Sequence, residues 1–191
     1  MKTMRRAPGL LALLALAAAC VSRAPLRPSV PAPEAPEPLT WAALRGAEYR
    51  AELPASGRAR LVDGVYEEPV APGSASEVSL TLGPWHALGD LDGDGVTDAA
   101  AVLIESGGGS GSFFDLAVVV ARPLGPVHAA GAFLGDRVGI ESVSIEAATV
   151  VVRMKAHRPG DPLCCPSAET ALRFRLDGST LLRVGASTGP L

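Results

Sequence analysis

The residues best suited to chemistry lie in an acidic loop, Gly-Asp-Leu-Asp-Gly-Asp-Gly-Val-Thr-Asp, that begins at Gly89. Its carboxylates stand at loop positions 1, 3, 5 and 9, with glycine at position 6, which is the spacing by which a protein loop wraps calcium. Neighbouring carboxylates repel one another by about 1 kcal/mol per pair in water, and a divalent cation reverses the sign of that interaction. The predicted ligands are Asp90, Asp92, Asp94, the carbonyl oxygen of Val96, and Asp98, the last directly or through water.

The flanking residues argue against a helix–loop–helix calcium site. Position 12 of the loop is Ala101, where that motif needs a bidentate glutamate, and residues 99–104 have the composition of a strand. The loop resembles the D-x-D-x-D-G-x-x-D turn of integrin-type propeller repeats, which lies between strands, although only one copy is present here. The alternative is a solvated acidic turn that binds nothing, and magnesium also accepts oxygen ligands in a stricter geometry.

A second chemical candidate is the adjacent pair Cys164 and Cys165, in a proline-rich loop that follows His157. Outside the cytoplasm the compartment is oxidising, and the sequence leaves open whether the two cysteines bond to each other, because a disulfide between adjacent cysteines closes a strained small ring that is more easily reduced. Three interpretations stay open: a structural loop, a redox pair and a Cys–His nucleophile. The chain has only three histidines, so a zinc site would lack ligands.

The amino terminus has the pattern of an export signal. A basic start is followed by an apolar run over residues 10–19 and small residues that end at Cys20. This pattern resembles a bacterial lipobox, which implies that the Cys20 thiol is acylated and that the mature chain begins there. Ten apolar residues make about 15 Å of helix, half of a bilayer core, so the segment predicts a cleaved signal and not a membrane span. The residue after Cys20 is valine, which favours sorting to the outer membrane if the cell is Gram-negative.

Changes in amino-acid composition divide the chain into three predicted regions. Residues 1–19 are the predicted lipoprotein signal peptide, and residues 20–38 are the lipidated cysteine with a proline-rich, extended tether. Residues 39–191 form one predicted β-rich domain, a size that can bury its own core. The expected location is the cell envelope, with the domain in the periplasm or at the cell surface.

Period-two alternation dominates the domain, and it predicts strands with one wet face. Alternating segments cover residues 47–53, 78–82 and 172–176, whereas 99–104, 116–121 and 150–152 are apolar throughout and predict central strands. Asp-Gly and other glycine-containing turns separate them. We expect about nine or ten strands in an antiparallel sandwich or strongly curved sheet, with one short helical turn capped by Thr40.

Five sequence blocks together resemble a family of uncharacterised exported bacterial proteins, some of them lipoproteins. The blocks are Pro-Gly-Ser-Ala-Ser at 72–76, the acidic loop, Gly-Gly-Ser-Gly-Ser-Phe at 108–113, Phe-Leu-Gly-Asp-Arg-Val at 133–138, and Asp-Pro-Leu-Cys-Cys-Pro at 161–166. The resemblance spans residues 47–182 and implies a single module. It implies no activity and no catalytic residues.

The net charge of the chain without its first nineteen residues limits the kinds of molecule that it is expected to bind. Without the first nineteen residues the chain has fourteen basic and twenty acidic side chains, a net charge of −6, so nucleic acid is not an expected partner. The leading hypothesis is a membrane-anchored, non-catalytic envelope module, stabilised by calcium, that binds a protein or a glycan. The alternative is a thiol-active envelope protein. A hydrolase would need a pocket joining His86 or His157 to the acidic loop.

Overall fold

The computed structural model describes residues 34–189. The predicted signal segment, Cys20 and most of the tether lie outside the described residues. Within them, one helical turn and eleven strands occur, and no helix is long and apolar enough to cross a bilayer. The elements are α1 (Trp41–Leu44), β1 (Glu48–Arg50), β2 (Arg58–Arg60), β3 (Val65–Pro69), β4 (Glu77–Gly89), β5 (Asp98–Ser106), β6 (Phe113–Arg122), β7 (Gly125–Asp136), β8 (Gly139–Glu146), β9 (Thr149–Ala156), β10 (Ala168–Asp177) and β11 (Thr180–Thr188).

The strands form three antiparallel sheets. A two-stranded ribbon pairs β1 with β2, a five-stranded sheet runs in chain order from β3 to β7, and a four-stranded sheet has the order β11-β10-β9-β8. Within each sheet, strands that are consecutive in the chain are neighbours, an arrangement that antiparallel pairing allows. The prediction of a mostly β, antiparallel fold with one short helical turn is confirmed.

The five-stranded sheet is buried on both faces at its centre. One face packs against the ribbon and α1, and we call the buried residues there the ribbon-side core: Leu39, Leu44, Ala47, Tyr49, Ala59, Leu61, Leu80, Leu82, Ala99, Ala101, Leu103, Ala117, Val119 and Ala121. The other face packs against the four-stranded sheet and gives the sheet-side core: Leu91, Ala100, Val102, Leu116, Val118, Val120, Leu134, Val138, Ile140, Val150, Val152, Met154, Leu172 and Phe174. Successive residues of β5 and β6 thus enter opposite cores, which explains why both segments are apolar throughout.

The helical turn and the ribbon close the ribbon-side core at the end that carries the acidic loop. Thr40 caps α1, because its Oγ1 accepts a hydrogen bond of 3.2 Å from the amide of Ala43. The Tyr49 hydroxyl is fully buried and donates to the Leu44 carbonyl at 3.0 Å. Leu39 is also buried, and its amide donates to the carbonyl of Thr97 at 2.8 Å. The start of the domain is therefore hydrogen-bonded to the acidic loop.

Two-sided burial can be tested by truncating a leucine in each core. Leu103→Ala in the ribbon-side core and Leu116→Ala in the sheet-side core should each lower the free energy of unfolding by about 2–5 kcal/mol, because each leaves a cavity among fully buried neighbours. Leu124→Ala is the matched control, since Leu124 is 103 % exposed in the turn after β6 and should change stability by less than about 0.5 kcal/mol. Urea unfolding measures all three. A core variant as stable as Leu124→Ala would contradict burial of that face.

Candidate functional site

The acidic loop connects β4 to β5 across a hairpin whose last pair is Gly89 opposite Asp98. Its position is fixed from both sides of the sheet. Leu91 enters the sheet-side core, whereas Val96 packs against the ribbon-side core. Gly89 itself lies so close to Ile145 of β8 that an added Cβ would be 3.2 Å from its Cγ2. The loop is thus anchored by packing as well as by its own polar groups.

Asp98 is the most constrained carboxylate of the loop. It has no exposed surface and accepts three backbone hydrogen bonds, from Leu91 at 2.9 Å, from Asp92 at 3.3 Å and from Ala121 of β6 at 2.8 Å. Burial raises the pKa of Asp98 above its ordinary value, and these donors oppose that shift only in part. The nearby Asp92 carboxylate raises the pKa further. Asp98 therefore joins the acidic loop to the neighbouring strand β6.

Three of the predicted ligands converge. Asp90, Asp92 and Asp98 each offer one carboxylate oxygen, and these oxygens lie within 4.8 Å of one another. Two oxygens bound to one calcium ion at 2.3–2.6 Å can be at most about 5 Å apart, so the spacing fits a single hard cation. We call these residues the carboxylate triad. It could hold a metal ion.

The loop backbone holds the triad residues in place by short-range hydrogen bonds. Asp90 accepts from the amides of Gly93 at 2.7 Å and Gly95 at 3.0 Å, and Asp92 accepts from the amide of Asp94 at 3.2 Å. Both glycines have positive φ, 83° and 82°, which an L side chain rarely adopts. A carboxylate has about four lone-pair sites, so each triad residue keeps acceptor capacity toward an ion.

Asp94 and Val96, the other predicted ligands, are not members of the triad. One Asp94 oxygen accepts a hydrogen bond of 2.8 Å from the amide of Val96, and the other lies 3.5 Å from the Arg122 guanidinium. Their assignment as ligands stays a prediction.

Arg122 is the site residue that the sequence did not reveal. It ends β6, and its Nη2 donates to Asp92 at 2.8 Å while Nη1 lies near Asp94. A guanidinium beside two of the loop carboxylates relieves part of their repulsion without a metal. No spacing rule connects Arg122 to the loop; only the pairing of β5 with β6 would have found it.

The structure joins Cys164 and Cys165 in a disulfide between β9 and β10, and both residues are exposed. Asp161 organises this loop, because its carboxylate accepts from the amides of Arg158 and Ser167. These donors hold the pKa of Asp161 below its ordinary range. The ring of His157 lies 3.3 Å from the carbonyl of Arg137, a contact that positions it toward β7.

The other two histidines have structural partners. His86 stacks on Trp41, with ring centroids 4.2 Å apart, and its Nδ1 lies 3.1 Å from the Pro84 carbonyl. His128 accepts at Nδ1 from the amide of Arg50 at 2.9 Å. Burial, and then the charge of Arg50, lowers the pKa of His128 to about 4, so this imidazole is neutral at ordinary pH.

A second concave region lies beside the ribbon, and Arg50 of β1 and Arg58 of β2 contribute to its lining. Glu105 of β5 is 4 % exposed there, and its carboxylate accepts from the amides of Glu52 at 3.3 Å and Leu53 at 2.9 Å. The neighbouring Asp115 of β6 lines the same region. Burial, together with the charges of Glu105 and Glu52, raises the pKa of Asp115 to about 7. No motif or spacing in the sequence singles out these carboxylates.

No family model, no curated protein and no solved structure matches this chain. The resemblance to exported bacterial proteins stays a prediction.

The raised pKa of Asp115 predicts a pH dependence of stability. The folded state binds this proton more tightly than the unfolded state, whose carboxyl has the ordinary pKa of 3.8, so stability should fall as pH rises from about 4 to about 7. Because Asp115 is partly exposed, solvent screening reduces the loss to something on the order of 1 kcal/mol. Asp115→Asn should remove this loss of stability, because asparagine does not titrate.

Urea unfolding at pH 4 and pH 8 measures this difference. From pH 4 to pH 8, the free energy of unfolding of Asp115→Asn should increase relative to that of the wild type. The matched control is Glu67→Gln, which removes a carboxylate from an exposed position of β3. A difference between Asp115→Asn and wild type that stays constant with pH would show that Asp115 titrates normally.

Proposed function

We propose that this chain is an exported lipoprotein, attached to the cell envelope through acyl chains on Cys20, whose β domain is a non-catalytic binding or structural module. In this proposal calcium binds the β4–β5 loop and stabilises it, and the domain contacts an envelope protein or a glycan in the periplasm or at the cell surface. The observation that carries the calcium part is the carboxylate triad. The proposed location in the cell envelope rests on the signal-like residues that precede Cys20.

Calcium suits the loop better than magnesium for two reasons. Calcium accepts six to eight oxygens in a flexible geometry, which permits carboxylates, a backbone carbonyl and water to share the coordination sphere. Magnesium demands a near-ideal octahedron and gives up its water reluctantly. Outside the cytoplasm, even a site of millimolar affinity fills with calcium.

The place of Asp98 indicates a structural role for the ion. Its carboxylate already binds the amides of Leu91 and Ala121, which belong to the loop and to β6. A cation shared with Asp90 and Asp92 would add a link from the exposed side of the loop to this buried anchor. The ion would then stabilise the hairpin between two strands of the central sheet.

Calcium should raise the melting temperature of the domain, and Asp92→Ala should abolish that rise, because it removes a triad ligand. Binding stabilises only the folded state, so a calcium concentration one hundred times the dissociation constant adds about 2.7 kcal/mol. Thermal unfolding in calcium and in chelator measures the effect. The control variant is Glu67→Ala, which lies outside the loop and should keep the full calcium response.

The Arg122→Gln variant distinguishes the contribution of calcium to loop stability from the contribution of the Arg122 guanidinium. Without the guanidinium, the loop should be less stable in chelator by about 0.2–1 kcal/mol, the range for exposed ion pairs, and should bind calcium more tightly. Equal melting temperatures in calcium and in chelator, for both the wild type and Arg122→Gln, would refute a calcium site.

The exposed disulfide supports a second candidate function, thiol–disulfide exchange in the envelope. In such a reaction Cys164 and Cys165 would be reduced to two thiols while two thiols of a partner are oxidised to a disulfide. The exposure of both cysteines allows a partner thiolate to approach.

Thiol labelling tests this second function. The oxidised protein should take up no maleimide, and treatment with a mild reductant should expose two thiols for each folded domain. Cys164→Ser with Cys165→Ser is the control, which should take up none in either state. Cysteines that stay unlabelled after mild reduction would eliminate the redox function.

A further inference from the structure

Two adjoining cavities lie beside β5, β6 and β7 of the central sheet, and no residue of the acidic loop lines either of them. Their volumes are about 670 Å³ and about 330 Å³, and they share Glu52, Glu105, Asp115 and Phe133. The smaller cavity is lined by Glu52, Leu53, Glu105, Phe113, Asp115 and Phe133. Its size is in the range of small-ligand pockets.

Strand register brings these side chains to one face. Asp115 of β6 lies opposite Leu103 of β5 on one side and opposite Phe133 of β7 on the other. Glu105 lies opposite Phe113, two residues along the same strands. Residues paired in register or two apart share a face of the sheet, so two carboxylates and two phenylalanines form one continuous surface.

The three carboxylates of the smaller cavity have no cationic partner. None of the ion pairs within residues 34–189 includes Glu52, Glu105 or Asp115. Glu105 is almost completely buried, and only backbone amides compensate its charge. A buried carboxylate without a counter-ion is expensive, and two further carboxylates beside it add repulsion.

The arginines that line the larger cavity have other partners. Arg58 pairs with Glu48 at 3.1 Å. The guanidinium of Arg50 donates to the neutral carbonyl of Ala129 and keeps its charge, which lowers the pKa of His128 but is not among the causes of the shift at Asp115. His128, which also lines the larger cavity, is neutral because its pKa is lowered to about 4. Above about pH 7, where Asp115 is ionised, the smaller cavity therefore presents carboxylate charge without an ion-pair partner next to aromatic rings.

Phe133 is the second feature that points to a ligand. It is 62 % exposed, lies near the end of the edge strand β7, and borders both cavities. An exposed ring beside carboxylates is the arrangement that recognises organic cations, because the ring face attracts a cation and the carboxylates supply the opposite charge. A hard metal ion fits less well, since among the described residues only the carboxylate triad gathers three such oxygens within 4.8 Å.

We propose that the smaller cavity binds an organic cation, a primary ammonium or guanidinium group carried on a short apolar body. The charged group would lie among Glu52, Glu105 and Asp115, and the apolar body would contact Phe113 and Phe133. This inference rests on the proposed binding role of the domain and supplies the chemistry of the ligand. It does not depend on calcium. The cation could belong to a free amine or to a lysine or arginine side chain of an envelope protein.

The pKa of Asp115 supports the same assignment and provides a readout. Its rise to about 7 results from burial and from the charges of Glu105 and Glu52. A bound cation would oppose that field, so the pKa of Asp115 should fall when the cavity is occupied.

Calorimetric titration at pH 8, with calcium present throughout, tests the proposal. The probes are n-pentylamine, its neutral analogue n-pentanol, and a blocked lysine peptide, acetyl-Gly-Lys-Gly-amide. The amine should bind with a dissociation constant of about 1 mM, as its few heavy atoms permit, and at least tenfold more tightly than the alcohol. Tighter binding of the peptide than of the amine identifies a protein side chain as the source, and the reverse identifies a free amine.

Two variants locate the binding. Asp115→Asn should weaken amine binding at least tenfold, and Phe133→Leu should weaken it severalfold, because both residues border the cavity and neither is fully buried. Glu67→Gln, which removes one exposed charge from β3, should leave the affinity within twofold. NMR titration of the carboxyl carbon of Asp115 should show its pKa lowered by the amine.

Equal binding of amine and alcohol, or an Asp115→Asn variant that binds like the wild type, would overturn the proposal. Binding of neutral oligosaccharides with no amine binding would also overturn it, while leaving the binding role of the domain intact. The calcium-dependent melting temperature is measured separately, so its failure would not be confused with failure of cation binding.

Discussion

A carboxylate with no exposed surface stands at the start of β5, and its charge has to be compensated where it lies. Asp98 meets this constraint with three backbone amides that come from the acidic loop and from β6. The loop must therefore fold back over the strand that follows it, and this brings Asp90 and Asp92 beside the buried charge. Several negatively charged oxygens therefore lie close together, and a cation between them would reduce their repulsion. The Arg122 guanidinium compensates part of this negative charge, and a calcium ion, as proposed, would compensate more of it.

The same central sheet positions both candidate sites. Because β5 and β6 are covered on both faces, their ends and their one uncovered region are the places where polar side chains can reach solvent. The carboxylate triad lies at the beginning of β5, and Glu105 lies near its end. One site has oxygens gathered closely enough for a hard ion, whereas the other has separated carboxylates beside phenylalanine rings. This difference in spacing and neighbours is the reason that we propose a different cation for each site.

Periodicity was sufficient to predict the β class, the buried central strands and the capped helical turn, because each depends on local residue order. A three-residue strand such as Arg58–Arg60 is too short for alternation to be recognised, and residues 34–189 contain eleven strands where nine or ten were expected. The turn at Ala147 and Ala148 has positive φ at both residues, which alanine sequences do not suggest. For the site, the loop spacing predicted the triad residues, but Arg122 and Asp115 reach their sites only through pairing between strands, which one sequence does not specify.

Anomalous diffraction from crystals grown in calcium shows whether a hard cation occupies the carboxylate triad. For calcium binding at the triad we expect an anomalous peak about 2.3–2.6 Å from one oxygen each of Asp90, Asp92 and Asp98, with the guanidinium of Arg122 moved away from Asp92. A map with no such peak, in which Arg122 keeps its contact with Asp92 at saturating calcium, would contradict it.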